Sequence, residues 1–399
     1  MPRATALTLG ALWLTVFAAS SQVIIVSPLL PDIARALVVP QARLGLVVTA
    51  YAVMLGVFAF VAGPVSDRVG RRRILLAGTA ALSAMLLLHG FAHTFASLVA
   101  VRALAGAAAG LLSGAAVAYV GDAFPYERRG WANGWVMSGI AAGQILGVPV
   151  GKALALRYDF VVPFLAFGVL AAIALVLIAL FVPQPDVPRS ARLSVGGALR
   201  AYGGLVRRPA PRAAALAYVL MFAGVGLFVP YFPLWLEQAK GVTGQQIIVL
   251  FLVGGLVNVV AGPVAGALSD RVGRRPLILA SCGLFAAIML AAPYTVIGLV
   301  SATVLFAFTM LSVALRIAPL QSLVSALVPA QERGMMMSGA VALGQIGMAL
   351  GAGVAGPLYG RFGMPGNTLA GAVAILGMAY VVAAKLPEPT EDAAALAVA

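Results

Sequence analysis

Two stretches of the chain place an acid, glycines and arginines at the same spacing. The first reads Gly63-Pro64-Val65-Ser66-Asp67-Arg68-Val69-Gly70-Arg71-Arg72 and the second Gly266-Ala267-Leu268-Ser269-Asp270-Arg271-Val272-Gly273-Arg274-Arg275. An aspartate can accept backbone N–H groups at a helix start and meets the positive end of its dipole. Glycine allows positive φ in a tight turn, and arginine is a planar fork that pairs with a carboxylate. The chemistry on offer is charge pairing at a hinge. The two aspartates lie 203 residues apart in a chain of 399, so the hinge marks a duplicated half.

Other polar residues stand inside apolar runs. Arg102 and Arg316 are cations within helical stretches, where an arginine costs several kcal/mol unless it faces a cavity or a partner. All 12 acids fall at helix ends, loops or the tail. His89 and His93, spaced i and i+4, lack a third ligand and read as an interfacial polar pair, so no metal site is expected. The single cysteine, Cys282, excludes an internal disulfide and reads as a packing residue. No H-E-x-x-H, P-loop or G-x-S-x-G motif is present, which removes support for a membrane protease, an ATP-driven pump or a hydrolase.

Membrane helices must position these groups. The chain is 62% hydrophobic and 10% charged, with mean hydropathy +1.04, against about 25% charged residues in soluble domains. Apolar runs of about 20 residues read as spanning helices because lipid offers the backbone no hydrogen bonds. Twelve are expected, near 5–31, 44–65, 74–92, 96–120, 132–156, 160–182, 213–237, 247–268, 277–294, 298–325, 335–357 and 368–386. They give an all-α polytopic fold of two six-helix bundles, 1–182 and 213–386. A central loop, 183–212, separates them, and a tail, 387–399, follows. The start resembles a signal peptide, but the apolar run continues to Leu30 and reads as an uncleaved first span. Residues 193–206 read either as an amphipathic helix on the membrane surface or as a solvated basic linker. Most cations sit on the side that carries the two hinges. Arg35, Arg43, Lys152, Arg157, Lys240 and Arg361 fall on the other, so both termini are expected in the cytoplasm of an inner-membrane protein. This topology accounts for the net charge of +14 without nucleic acid.

On its hinges the chain resembles the major facilitator superfamily, whose G-x-x-x-D-R-x-G-R-R loop joins helices 2 and 3 and recurs between helices 8 and 9. The resemblance covers essentially the whole chain and implies alternating access between the two halves. It implies a conformational latch made by Gly63, Asp67, Arg68, Gly70 and Arg71, with Asp122 at the end of helix 4 as the carboxylate for Arg71. The second set, Gly266, Asp270, Arg271, Gly273 and Arg274, faces no equivalent acid at Leu327 and Val328 and reads as a structural echo. Arg102, with Gly106 and Gly110, is similar to the R-x-x-q-G-x-x-x-G motif of proton-coupled members, with Ala105 in the glutamine position. Gly143, Gly147, Pro149 and Gly151 approximate the antiporter motif of helix 5, with the proline one residue late. The acid that drug–proton antiporters carry in helix 1 is replaced by Ser20-Ser21-Gln22, which leaves Asp32 and Arg102 as proton-coupling candidates. Helices 1, 4, 7 and 10 line the family's cavity, so Gln22, Tyr119, Tyr218, Tyr231, Asn258, Arg316 and Gln321 are candidate substrate contacts. The implied function is proton-coupled efflux of a small molecule by a monomer that needs no cofactor beyond the proton gradient. The alternatives are a sugar, metabolite or organic-anion carrier, or a non-transporting sensor.

Overall fold

The computed structural model describes residues 3–185, 195–329 and 332–386, although some side chains within these ranges, Pro64 and Asp67 among them, lie outside what is described. The tail 387–399 lies outside the described residues. Almost everything described is helical. Among the described residues, eleven helices are long and apolar enough to cross a membrane, and the last of them is two spans in one, giving twelve.

The chain forms two compact units, Met1–Pro40 with Leu46–Ala198, and Gln41–Gly45 with Leu199–Ala399. In the first unit the spans are α1 (Arg3–Ile24) with α2 (Val26–Ala36), α3 (Gln41–Val69), α4 (Arg71–Leu88), and α5 (Phe95–Leu112) with α6 (Ala115–Ala123). The fifth is α7 (Tyr126–Ala142) with α8 (Val148–Arg157), and the sixth is α9 (Val162–Phe181). The second unit holds α10 (Val195–Arg207), α11 (Pro209–Phe228) with α12 (Phe232–Lys240), and α13 (Gly244–Val272). It continues with α14 (Arg274–Thr295), α15 (Leu299–Ala326) and α16 (Arg333–Lys385).

Two expectations are corrected. The first span is not one helix, because α1 stops at Ile24 and α2 carries the chain to Ala36 with Pro31 inside it. A loop between the last two spans is absent: within α16 only Gly363 leaves helical geometry, at φ 64° and ψ −161°, and reverses the chain. A glycine there needs no longer connection, since it pays no Cβ penalty at positive φ. The stretch read either as a surface helix or as a solvated linker contains a helix, α10, with Leu205 buried and Tyr202 packed on Gly339 of α16.

Spans associate through small residues because lipid supplies no hydrophobic drive between helices. In the first unit, Gly106 and Gly110 of α5 rest on the carbonyl oxygens of Tyr51 and Leu55 in α3. Gly139, Gly143, Gly147 and Gly151 form a ladder along the fifth span against the first, meeting Trp13, Ser21, Ser21 again and Ile25. A π-helical turn, Gly143–Gly147, lies inside that ladder, and inserted residues of this kind gather at functional sites. In the second unit Gly347 and Gly351 of α16 rest on the carbonyls of Val219 and Ala223 in α11. Val169, Ile173, Val176 and Leu180 stay exposed on α9, a face suited to lipid.

Candidate functional site

The hinges are single residues rather than loops. α3 remains helical to Val69 and α4 begins at Arg71, with Gly70 between them at φ 106° and ψ 141°. Gly273 separates α13 and α14 at φ 96° and ψ 148°, so both copies turn the chain the same way. Gly70 N–H donates to Ser66 O and Gly273 N–H to Ser269 O, closing the two preceding helices alike. Asp67 and Asp270 both fall in the last helical turn before the hinge glycine. Asp270, Arg68 and Arg271 are exposed. The Asp67 side chain and the surroundings of Gly63 lie outside what is described.

The arginines after each glycine divide the work. Arg71 Nε donates to Asp122 Oδ2 at 2.7 Å, and its Nη1 donates to Ser66 Oγ at 3.0 Å. This joins the start of α4 to the end of α6, the pairing named from the motif. Arg72 reaches across to the last turn of α9, where its Nη2 donates to Ala179 O at 2.7 Å. Arg275 does the same for α16, donating to Ala383 O. Each cation meets carbonyls that have no intrahelical partner at the negative end of a helix. Sequence reasoning missed these caps, although the 203-residue repeat carries both arginines. The second hinge is thus more than an echo: it ties the third span of its unit to the sixth.

The second group surrounds Arg102, which is 1% exposed. Its Nη1 donates to Gln22 Oε1 at 2.7 Å, and the guanidinium carbon lies 4.2 Å from the Tyr51 ring centroid and 5.5 Å from that of Phe164. Gln22 Nε2 donates to Tyr51 Oη at 2.8 Å, so spans 1, 2 and 4 are fastened by one cation and one amide. Gln22, a candidate substrate contact, is also the residue that holds the arginine. Arg102 Nε meets no partner. Beyond Phe164 lies His89, stacked on that ring at 4.3 Å with Nδ1 donating to Met85 O. His93 is exposed, so the two histidines form no shared site, and no cluster of three metal ligands occurs among the described residues.

Asp32 and Arg102 are held by different partners. Lys152 Nζ donates to Asp32 Oδ2 at 2.6 Å and Arg35 Nη2 to Oδ1 at 2.5 Å. Lys152, counted on the side away from the hinges, is 1% exposed, inside α8. Asp32 is the carboxylate that accompanies that buried ammonium, which is a structural reason for its presence.

The second unit contains a comparable cation. Arg316 on α15 is fully buried, lies against the Cys282 sulfur and sits 5.0 Å from the Phe285 ring centroid. Its Nε and Nη1 meet no hydrogen-bond partner, and no carboxylate pairs with it among the described residues. Cys282 is buried, with Sγ 3.9 Å from Met378 Sδ. The remaining candidates scatter. Tyr218 is buried with its hydroxyl unpartnered, Asn258 is half-buried and Gln321 is exposed. Tyr231 is buried, and its hydroxyl donates to Gln41 O and accepts from Gly45 N–H. Tyr119 is buried at the hinge end of the first unit, where its hydroxyl donates to Pro183 O at 2.8 Å.

The family profile of the Major Facilitator Superfamily matches residues 12–313 and 214–397. The uncharacterised MFS-type transporter YceJ of Bacillus subtilis is 29% identical over 288 residues, 71% of this chain and 73% of its own. The multidrug resistance protein MdtG of Proteus mirabilis is 24% identical over 56% of each chain. Among solved structures, the human organic anion transporter MFSD10 superposes with TM-score 0.71 at 20% identity, covering 96% of this chain and all of that one. The repeated glycine hinges, the twelve spans and the profile match along both halves agree: the chain is a membrane transporter of the major facilitator superfamily.

Proposed function

We propose that the protein is a proton-coupled secondary transporter that exports a small organic molecule across an inner membrane by alternating access. The observation that carries this reading is the Arg102 cluster. A buried guanidinium held only by an amide and two ring faces keeps its full charge, and a fold does not need so costly a group for packing alone. Any nearby group that takes up or releases a proton does so in the field of that charge, which is the physical requirement for coupling. The glycine ladder of the fifth span and the relative named as a multidrug resistance protein support the outward direction.

A second reading has its own observation. Arg102 and Arg316 are both buried without a carboxylate partner among the described residues, which favours a substrate that brings negative charge. The relative in structure that is titled an organic anion transporter agrees with it. Reconstituted vesicles decide between the two. Flux of a cationic dye that collapses when a protonophore removes the pH gradient supports the first reading. Flux of an aromatic carboxylate in preference to the dye supports the second. Flux of the dye that ignores the pH gradient refutes proton coupling.

A further inference from the structure

At the hinge end of the first unit, a cavity of about 690 Å³ opens between the start of α1, the end of α6, the start of α7 and the end of α9. That volume falls within the range of about 300–1,000 Å³ seen for small-molecule sites. Its apolar wall includes Phe124, Phe181 and Ala123, and its charged wall is Arg128, with Trp131 one turn further along α7. The hydroxyl of Tyr119 also lines it, but that proton is already donated to Pro183 O. Arg128 is the one charged residue of the lining, and no carboxylate pairs with it among the described residues. A second feature points the same way. α7 is 17 residues long, begins at the cavity wall after Pro125, and has no side chain capping its N-terminal N–H groups. An uncapped helix start and a free guanidinium both favour negative charge. The nearby Glu127 is exposed and takes no part in the lining.

We propose that this cavity binds an amphipathic organic monoanion: a carboxylate or phosphodiester at Arg128 and the start of α7, with an aromatic or alkyl body against Phe124, Phe181 and Trp131. The site is separate from the Arg102 cluster and does not depend on the transport reading. It adjoins the hinge, because Ala123 follows Asp122, the partner of Arg71.

The native thiol is buried in the other unit, so an added cysteine reports on the cavity alone. The full chain carrying Ala123→Cys, in nanodiscs of neutral lipid, is labelled with a maleimide against 2-naphthoate, 2-naphthylmethylammonium and 2-naphthamide. Naphthoate should slow labelling, and the ammonium and the amide should not. Arg128→Gln should raise the naphthoate needed by about tenfold or more, and Arg128→Lys should leave it within a few-fold. A parallel arm with phosphatidylglycerol in the disc and no naphthoate identifies the source of the anion: protection there assigns the site to a lipid headgroup, and its absence assigns it to a free anion. Equal protection by the ammonium, or protection that survives Arg128→Gln, overturns the proposal, as does labelling that neither naphthoate nor phosphatidylglycerol slows. Should Ala123→Cys fail to fold, hydrogen exchange of residues 119–131 in the unaltered chain gives the same discrimination. Exchange slowed by naphthoate and lost in Arg128→Gln supports the site; exchange unchanged by naphthoate overturns it.

Discussion

Gln22 separates two uses of the first span, substrate contact and support for a buried charge. Its Oε1 is the acceptor at normal hydrogen-bond length for Arg102, at 2.7 Å, while its own carbonyl lies at 3.5 Å. Replacement by alanine removes that acceptor and leaves the guanidinium against the Tyr51 and Phe164 rings. A hydrogen bond to a charged group is worth about 1.5–3 kcal/mol, and the cation–π contacts that remain about 0.5–2 kcal/mol. The expected loss is therefore about 2–3 kcal/mol. With the first unit unfolding as one body, that lowers Tm by about 4–12 °C, at roughly 2–4 °C per kcal/mol for a unit of this size. The assay is thermal unfolding of purified protein, read by static light scattering and by tryptophan fluorescence. Gln22→Glu is the informative companion. It places a carboxylate where the amide oxygen lies, pairs with Arg102, and should restore or exceed the unaltered Tm while weakening transport by cancelling the charge. Gln22→Ala that leaves Tm unchanged but abolishes transport would refute this reasoning and return Gln22 to the substrate contacts.

Three further outcomes are expected. Asp122→Asn should cost about 1–2 kcal/mol, between the values for exposed pairs and for charged hydrogen bonds, because the Arg71 and Asp122 side chains are 19% and 25% exposed. A double-mutant cycle with Arg71→Gln should return coupling of that size, and zero coupling excludes the clasp. Gly147→Val should be destabilising by about 1–3 kcal/mol or prevent assembly, since even a Cβ there would lie 2.1 Å from Ser21 Oγ. Gly134→Ala, with open space at its Cβ, should be neutral or stabilising by about 0.5–1 kcal/mol, and similar melting of the two variants would rule out the ladder as the reason. Asp32→Asn removes the carboxylate from Lys152 and should cost about 3–5 kcal/mol. An unchanged Tm together with a lost pH dependence of transport would instead make Asp32 a proton carrier.

Much of the fold was legible because lipid enforces a simple rule. Apolar runs become helices, and a repeated hinge at 203 residues announces a duplicated bundle. What escaped was set by packing. The first span breaks at Ile25, one turn before Pro28, whose missing N–H leaves Ile24 O without its helical donor, and Gly363 turns the chain between Pro357 and Pro365 with no longer loop. At the site, Arg71 and Asp122 could be paired from the motif, whereas Tyr51 and Phe164 around Arg102 could not. Aromatic faces leave no spacing signature, and a tyrosine in an apolar run reads as packing. Lys152 shows the same limit. Counting charges by side of the membrane did not reveal its burial, nor that the Asp32 carboxylate lies beside the ammonium.

The two hinges differ in what the first arginine can do and agree in what the second one does. Arg72 and Arg275 both close the last helix of their unit, so the shared function of the motif is architectural: it fastens the third span to the sixth across each bundle. Arg71 adds a bond to Asp122, whereas Leu327 and Val328 stand in place of an acid at the matching end of α15. The asymmetry predicts different consequences for the same change. Arg72→Ala and Arg275→Ala should lower stability by similar amounts, each about 1.5–3 kcal/mol for a lost charged hydrogen bond. Arg71→Ala should impair transport well beyond its effect on melting, and Arg274→Ala should not. Equal transport defects for Arg71→Ala and Arg274→Ala would mean that the clasp at Asp122 has no role of its own.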